Sequence, residues 1–100
     1  MYDSPLYFFA TDFIFALYVM SKKINMNLLE SIGLEIVRLR KLEGLSQEKL
    51  ALNASIDRRY MSDIENGRRN VSVEMLAKIA KALDTKASAI LAEAEKEKME

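Results

Sequence analysis

Hydrophobic positions recur every three or four residues along most of this chain, which is the period of an amphipathic helix. Between residues 26 and 42 the apolar stripe consists of Leu28, Leu29, Ile32, Ile36, Leu39 and Leu42. Asn27, followed by Glu30 three residues later, is typical of a capping box, and Gly44 is the residue type that follows the end of a helix. The pattern therefore predicts a first helix over this range.

Two short helices are predicted next, with a tight turn between them. Ser46 is the expected N-cap of the first, which ends near Asn53, and its Leu50 and Ala51 face inward. Asp57 is the expected N-cap of the second, which covers residues 57–66 and has Met61 and Ile64 inside. Two short helices joined by such a turn are typical of a helix-turn-helix, in which the second helix enters the major groove of DNA.

Two further helices complete the predicted core. Ser72 is the expected cap of the fourth helix, and its apolar stripe is Val73, Leu76, Ile79, Ala80 and Leu83. A fifth helix begins near Ala87 and buries Ile90 and Leu91. We expect it to fray from Glu93 onward, where apolar residues give way to charge.

The most hydrophobic stretch, PLYFFATDFIFALYVM over residues 5–20, stands apart from this pattern. No basic residue precedes it, as one would in a signal peptide, and its 15 residues from Leu6 to Met20 are fewer than the ~20 that span a membrane. Asp12 in its middle also argues against a membrane span. Three interpretations stay open: a wrongly assigned start upstream of Met20 or a disordered tail, a segment that packs against a partner subunit, and membrane contact.

Composition narrows the chemistry. At 100 residues the chain is expected to form one domain, and it has no cysteine and no histidine. These absences exclude disulfides, thiolate zinc sites and the commonest general base, so we predict no metal, no cofactor and no enzymatic activity. The net charge is zero, yet all six arginines lie between Arg38 and Arg69. A neutral chain of this kind can still present a basic face.

Three motifs carry a resemblance to a known family: IGLEIVRLRKLEGLSQEKLA, then DRRYMSDIENGRRNVS, then VEMLAKIAKAL. Together they resemble the Cro/C1-type (XRE-family) helix-turn-helix proteins over residues 31–91, and most closely the controller proteins of restriction–modification systems. The resemblance implies an all-α, five-helix lambda-repressor-like domain. We therefore predict an apolar extension at 1–25, a DNA-binding domain at 26–92 and a charged end at 93–100.

The resemblance also implies roles for individual residues. Those expected to read bases from the third helix are Arg58, Arg59, Tyr60, Ser62 and Asp63. Those expected to hold phosphates are Ser46, Gln47, Asn66, Arg68, Arg69 and Asn70. Arg40 and Glu65 are expected to form a partly buried ion pair. The candidates for a dimer interface are Ala87, Ile90, Leu91 and Ala94.

Two details qualify these roles. Asp63 either accepts a hydrogen bond from a cytosine or orients Arg59, four residues earlier on the helix. Ser55 stands in the turn where the family usually has glycine, or sometimes asparagine, with positive φ, so we expect mild strain there. Asp84 stands where a glycine usually follows the helix, and aspartate tolerates that conformation better than most residues.

The resulting prediction is a cytoplasmic homodimer that binds operator DNA in a sequence-specific manner and regulates transcription, with RNA polymerase as a further partner. The alternative is an antitoxin or another protein-interaction module built on the same fold.

Overall fold

The computed structural model describes residues 13–14, 16–17 and 26–99. Its helices in the continuous part are α1 (Leu28–Leu42), α2 (Gln47–Asn53), α3 (Arg58–Glu65), α4 (Val73–Ala82) and α5 (Ala87–Met99). The described residues contain no strand, and the prediction of an all-α domain with five helices is confirmed.

The ends of α1 follow from local chemistry. Asn27 Oδ1 accepts a hydrogen bond from the Glu30 backbone N–H at 2.9 Å, and the Asn27 N–H donates to Glu30 Oε1 at 3.1 Å, so the predicted capping box is present. At the other end Gly44 has φ +71°, and the Leu45 N–H donates to the Arg40 carbonyl at 3.0 Å. This left-handed turn satisfies the last carbonyls of the helix.

Two of the remaining helices begin with side-chain caps and one predicted cap is incomplete. Ser46 Oγ accepts from the Lys49 N–H at 2.9 Å, and Ser72 Oγ accepts from the Met75 N–H at 3.0 Å. Asp57 occupies the N-cap position of α3, but its side chain makes no capping hydrogen bond. The start of α3 therefore keeps N–H groups that no side chain caps, and this is the end that carries Arg58 and Arg59.

An apolar core joins the five helices. Its fully buried members with the largest side chains are Ile36, Leu50, Met61, Ile64, Ile79 and Ile90. Two stripe residues were assigned wrongly to the interior: Leu42 is 70% exposed and Val73 is 81% exposed. Both lie at a helix end, where the apolar face has passed beyond the reach of the neighbouring helices.

The C-terminal helix differs from its prediction. α5 continues to Met99 instead of fraying from Glu93, because Ala94 is fully buried one helical turn after Ile90 and extends the packed face. This face packs mainly against α1. An alanine in a charged sequence gives little hydrophobic signal, and only its neighbours reveal that it is buried.

The N-terminal stretch is described at Phe13, Ile14, Ala16 and Leu17 only, which are helical. Phe13, Ile14 and Leu17 are 58%, 67% and 50% exposed. The rest of the extension predicted at 1–25 lies outside the described residues, and its interpretations stand as predictions. In the described part of the chain, no helix is both long and apolar enough to cross a membrane.

Positive φ occurs at the two non-glycine residues where the sequence suggested it. Ser55 has φ +58° in the turn between α2 and α3, and Asp84 has φ +59° after α4. A Cβ atom in the left-handed region crowds the following carbonyl oxygen, at a cost on the order of 1 kcal/mol. The turn keeps this conformation because the Ile56 N–H donates to the Ala51 carbonyl at 2.8 Å and Ile56 itself is buried.

We expect Ser55→Gly to raise the free energy of unfolding by about 0.5–1 kcal/mol, because glycine adopts this φ without a Cβ clash. Urea denaturation followed by circular dichroism measures the change. Ser88→Gly is the matched control, since Ser88 is exposed on the regular helix α5 and the same substitution there should be destabilising. Equal losses of stability in the two variants would contradict the strain at Ser55.

Candidate nucleic-acid interface

The exposed face of α3 begins with two arginines. Arg58 and Arg59 occupy its first two positions and are both exposed, while Met61 and Ile64 turn inward to the core. Within residues 26–99, neither arginine has an acidic group within 4.0 Å. Two cations at the positive end of a helix dipole are locally unfavourable. An external anion beside these two side chains would offset this unfavourable interaction.

Tyr60 lies beside these arginines and is only half-buried. Its ring packs against the edge of the core, and the guanidinium carbon of Arg69 lies 4.8 Å from the ring centroid. A cation at this distance over a ring face is attracted by the ring quadrupole. Tyr60 therefore links α3 to the loop that follows it.

That loop turns back along α3. Gly67 has φ +69°, its N–H donates to the Ile64 carbonyl at 3.1 Å, and the Arg68 N–H donates to the Asp63 carbonyl at 2.9 Å. These two bonds form a Schellman motif. They bring the exposed side chains of Arg68, Arg69 and Asn70 next to the exposed face of α3.

Asp63 pairs with this loop, not with the helix residue that the sequence suggested. Asp63 Oδ2 is 3.4 Å from Arg69 Nη2, and Asp63 Oδ1 is 3.8 Å from Arg68 Nε. No ion pair joins Asp63 to Arg59 in the described part of the chain, so the proposed i, i+4 contact is corrected. The Schellman turn brings Arg68 and Arg69 close to the Asp63 carboxylate. The i, i+4 spacing of a continuous helix cannot predict this contact, because the chain leaves the helix before it reaches the two arginines.

Asn66, exposed at the end of α3, forms a side-chain hydrogen bond within the protein. The side-chain amide of Asn66 donates to the Ser62 carbonyl at 2.9 Å, four residues earlier. This bond helps to close the end of α3 and leaves the second amide hydrogen of Asn66 for another acceptor. Ser62 itself is half-buried.

Arg40 and Glu65 lie together between α1 and the end of α3. Arg40 Nε donates to Glu65 Oε2 at 2.8 Å and Arg40 Nη2 donates to Glu65 Oε1 at 3.0 Å, which is a bidentate pair. The Glu65 side chain is 4% exposed and that of Arg40 is 15% exposed. Arg40 Nη1 also donates to the Leu45 carbonyl at 3.1 Å, so the pair fixes the α1–α2 turn as well.

Gln47 joins this pair, a contact that the sequence did not suggest. Its Nε2 donates to Glu65 Oε1 at 2.9 Å, so one of its two amide hydrogens points into the protein. Glu65 thereby holds the first residue of α2 and orients it relative to α3. Ser46, immediately before it, is exposed and has its hydroxyl committed to the cap.

Two glycines position α3 against α1, and neither was singled out in the sequence for this role. A Cβ on Gly33 would overlap the Glu65 carbonyl oxygen and lie 2.6 Å from that of Ile64, and a Cβ on Gly67 would lie 2.6 Å from Glu30 Cγ. Only glycine permits these approaches. Gly33 inside the strong helical stripe of α1 was the available signal, since an internal glycine often marks close packing.

The dimer candidates divide into two pairs. Ile90 and Ala94 are both 0% exposed and belong to the core, so their assignment to an exposed interface is corrected. Ala87 and Leu91 are half-buried at its edge and keep accessible surface. The core-facing side of α5 carries Ile90, as the apolar pattern predicted, and Ala94 one turn later, so the dimer role that the resemblance implied does not fit these two residues.

The surface formed by α3 and the loop after it carries basic side chains. Among the described residues, no three acidic side chains lie close enough together to hold a metal ion. Four arginines are exposed on this surface: Arg58 and Arg59 at the start of α3, and Arg68 and Arg69 in the loop after it. Guanidinium groups bind phosphates and the O6/N7 edge of guanine through paired N–H donors.

Comparison with known proteins identifies the family. A family model described as helix-turn-helix matches residues 36–90. Control protein C.BamHI of Bacillus amyloliquefaciens is 48% identical over 59 residues, which cover 59% of this chain and 72% of that protein. The structure of the restriction-modification controller protein C.AhdI from Aeromonas hydrophila aligns with a TM-score of 0.61 at 40% identity and covers 62% of this chain and 94% of that one.

A third similar structure is a complex. The controller protein C.Esp1396I, solved as a tetramer with its natural 35 base-pair operator, aligns with a TM-score of 0.65 at 32% identity, over 73% of this chain and 96% of that one. The matched residues contain the α2–turn–α3 unit and the Arg40–Glu65 pair that orients it. The chain belongs to the helix-turn-helix family, in its Cro/C1 (XRE) branch.

Proposed function

We propose that this protein is a transcriptional regulator that binds double-stranded DNA in a sequence-specific manner as a homodimer, with α3 in the major groove. The observation that carries the proposal is the pair of exposed arginines at the start of α3, which have no acidic partner among the described residues. DNA supplies the missing anions. The similarity to controller proteins, one of them bound to its operator, supports the same function.

The direct reading of bases is assigned to α3. Its first turn enters the groove most deeply in this motif, which places Arg58 and Arg59 nearest to the base edges. Each bidentate contact of an arginine with guanine discriminates against other bases by about 1–3 kcal/mol. Tyr60 and Ser62 lie further along the helix, where we propose contacts with base edges or methyl groups.

Phosphate binding is assigned to the residues that flank α3. Arg68, Arg69 and Asn70 are exposed in the loop after it, and Asn66 and Gln47 each keep one amide hydrogen that no described residue accepts. Ser46 and Gln47 form the start of α2, where the helix dipole also favours an anion. These contacts fix the position of the protein on DNA and carry no sequence information themselves.

A dimer follows from the size of the site. One recognition helix contacts only a few base pairs, so two half-sites about 34 Å apart give the specificity that one lacks. Ala87 and Leu91 on α5 are the proposed interface residues. A bound dimer would regulate transcription by blocking or contacting RNA polymerase, without catalysis, in the cytoplasm.

Selection from a pool of random duplexes tests the proposal directly. We expect the full chain to enrich a symmetric site with two half-sites one helical turn apart, and sedimentation at equilibrium to give a dimer. Fluorescence anisotropy then compares the selected site with bulk DNA at a stated salt concentration. A preference of less than about tenfold over bulk DNA would contradict specific binding, against the ~10³-fold or more that is common.

The two leading arginines give a sharper prediction. Arg58→Ala and Arg59→Ala should each weaken binding to the selected site by about 1–3 kcal/mol, and at least one should lose preference for one base position. Lys78→Ala on α4, also exposed, is the control for a lost positive charge. Repeating the selection with each variant measures the preference. If both variants select the original site and bind all sequences less tightly, the arginines contact phosphate only.

A further inference from the structure

An acidic side chain lies in the middle of the basic surface. Asp63 is on α3, its side chain is 26% exposed, and it faces Arg68 and Arg69, whose side chains are 66% and 52% exposed. A carboxylate here repels the polyanion that the surrounding arginines attract. The Asp63 carboxylate neither caps a helix nor packs in the core, so neither role explains an acid at this position.

The geometry around Asp63 is built by the fold. The Schellman turn at Gly67 reverses the chain, so that residues five and six positions after Asp63 return to its side chain. Arg69 is held from two directions, by the carboxylate oxygen at 3.4 Å and by the Tyr60 ring at 4.8 Å. The other acid near the end of α3, Glu65, is already satisfied by Arg40 and Gln47.

We propose that Asp63 is an internal counter-ion that competes with DNA phosphates for Arg68 and Arg69, and so limits the affinity of the protein for DNA of every sequence. The inference rests on the proposed function, which assigns these two arginines to phosphate binding. A phosphate must either draw the guanidinium groups away from Asp63 or bind beside its negative charge. Both oppose binding, and neither depends on base sequence.

This role explains why an acid in that place is useful. A genome offers about 10⁶–10⁹ competing non-specific sites. A regulator that binds each of them tightly dissociates from each slowly, and this delays its search for the operator even when the ratio of specific to non-specific affinity is unchanged. A counter-ion beside the phosphate-binding arginines lowers this general affinity and leaves the contacts of Arg58 and Arg59 with bases intact. Asp63 then acts on DNA binding only through its charge beside Arg68 and Arg69, and it reads no base.

Asp63→Asn tests the proposal, because it removes the charge and keeps the shape. We expect binding to a random-sequence duplex at low salt to tighten by roughly three- to tenfold, as two weak ion pairs no longer compete. Binding to the selected site should tighten by a similar factor, and the selected sequence should not change. The plot of log affinity against log salt should become steeper by up to about one unit.

Two controls separate this effect from simpler ones. Asp84→Asn makes the same change in net charge in the turn after α4, and it should alter affinity much less. In an Arg69→Ala background, the gain from Asp63→Asn should shrink, because one of the competing partners is gone. Thermal unfolding of each variant confirms that the compared proteins are folded.

Other outcomes overturn the proposal. Weaker binding with a changed base preference would make Asp63 a base reader, and weaker binding to all sequences would make it a support for the arginines. A gain no larger than that of Asp84→Asn would reduce the effect to net charge.

Failure of the proposed function is measured separately. If the unmodified protein selected no sequence, specific regulation would be contradicted, while the random-duplex comparison would still decide the role of Asp63. If it bound no DNA at all, the salt concentration that elutes each variant from a heparin column would decide it. Asp63→Asn eluting no later than Asp84→Asn would overturn the counter-ion.

Discussion

Glu65→Ala should lower the free energy of unfolding by about 3–5 kcal/mol, because it leaves the mostly buried guanidinium of Arg40 without its carboxylate. The substitution removes two hydrogen bonds from Arg40 and one from Gln47, all between 2.8 and 3.0 Å. Small domains are stable by only about 5–15 kcal/mol, so a loss of this size is large. Urea denaturation of the folded chain measures it.

A double-mutant cycle measures the interaction free energy between Arg40 and Glu65. Arg40→Leu combined with Glu65→Leu removes both charges, and the combined variant should be more stable than the sum of the two single losses predicts. Glu95→Ala is the control for deleting a glutamate, since Glu95 is exposed on α5 and its loss should change stability by less than about 0.5 kcal/mol. Additive losses at Arg40 and Glu65 would show that the pair contributes nothing as a unit.

Gly33→Ala should destabilise the protein by about 1–3 kcal/mol, although alanine is a better helix former than glycine. The new Cβ would meet the backbone carbonyls of Glu65 and Ile64, and neither can move without separating α1 from α3. The displaced α3 should also bind the selected DNA site less tightly at temperatures where the variant is folded. Denaturation and anisotropy on the same variant measure the two effects.

Gly44→Ala provides the contrast. Gly44 has φ +71°, but apart from its two chain neighbours no group in the described part of the chain lies within 4 Å of the position that a Cβ would take, so alanine there meets strain without a clash. Its cost should be on the order of 1 kcal/mol, and its effect on DNA binding should be small. If Gly33→Ala proved neutral or stabilising, helix propensity would outweigh the close approach of α1 to α3.

Much of the fold was predictable because it depends on neighbours in sequence. The Asn27–Glu30 capping box and the serine caps of α2 and α4 involve residues three positions apart, and the structure contains all of them. Positive φ at Ser55 and Asp84 was expected from the family resemblance, which places glycine at both positions, and both residues adopt it. The period of apolar residues also placed all five helices within about two residues of their observed starts.

The site was predictable only in part. The exposed arginines of α3 and the Arg40–Glu65 pair followed from the resemblance of the motifs to a known family, and the structure brings those two residues together. The contacts of individual side chains with bases and phosphates stay predictions. The pairing of Asp63 with Arg68 and Arg69 was missed, since it depends on the turn at Gly67 and not on helical spacing.

The burial of α5 was also predictable from the sequence only in part. Ile90 and Leu91 are both apolar, yet Ile90 is fully buried and Leu91 is only half-buried. Ala94, set in a run of charge, is buried because α1 covers it. A sequence pattern predicts which side of a helix is apolar. Which residues on that side become buried depends on the neighbouring helix that packs against them.

The sequence by itself determined the helices, their caps and turns, and a family resemblance that predicts DNA binding, because these depend on short-range geometry and on residue types at fixed spacing. Only the tertiary structure decided which charges are satisfied and which face outward. Glu65 meets Arg40 across 25 positions in sequence and Gln47 across 18, and Gly33 meets the end of α3. Such contacts depend on how the helices cross, since ion pairs and close approaches form only between groups that packing brings within a few ångströms.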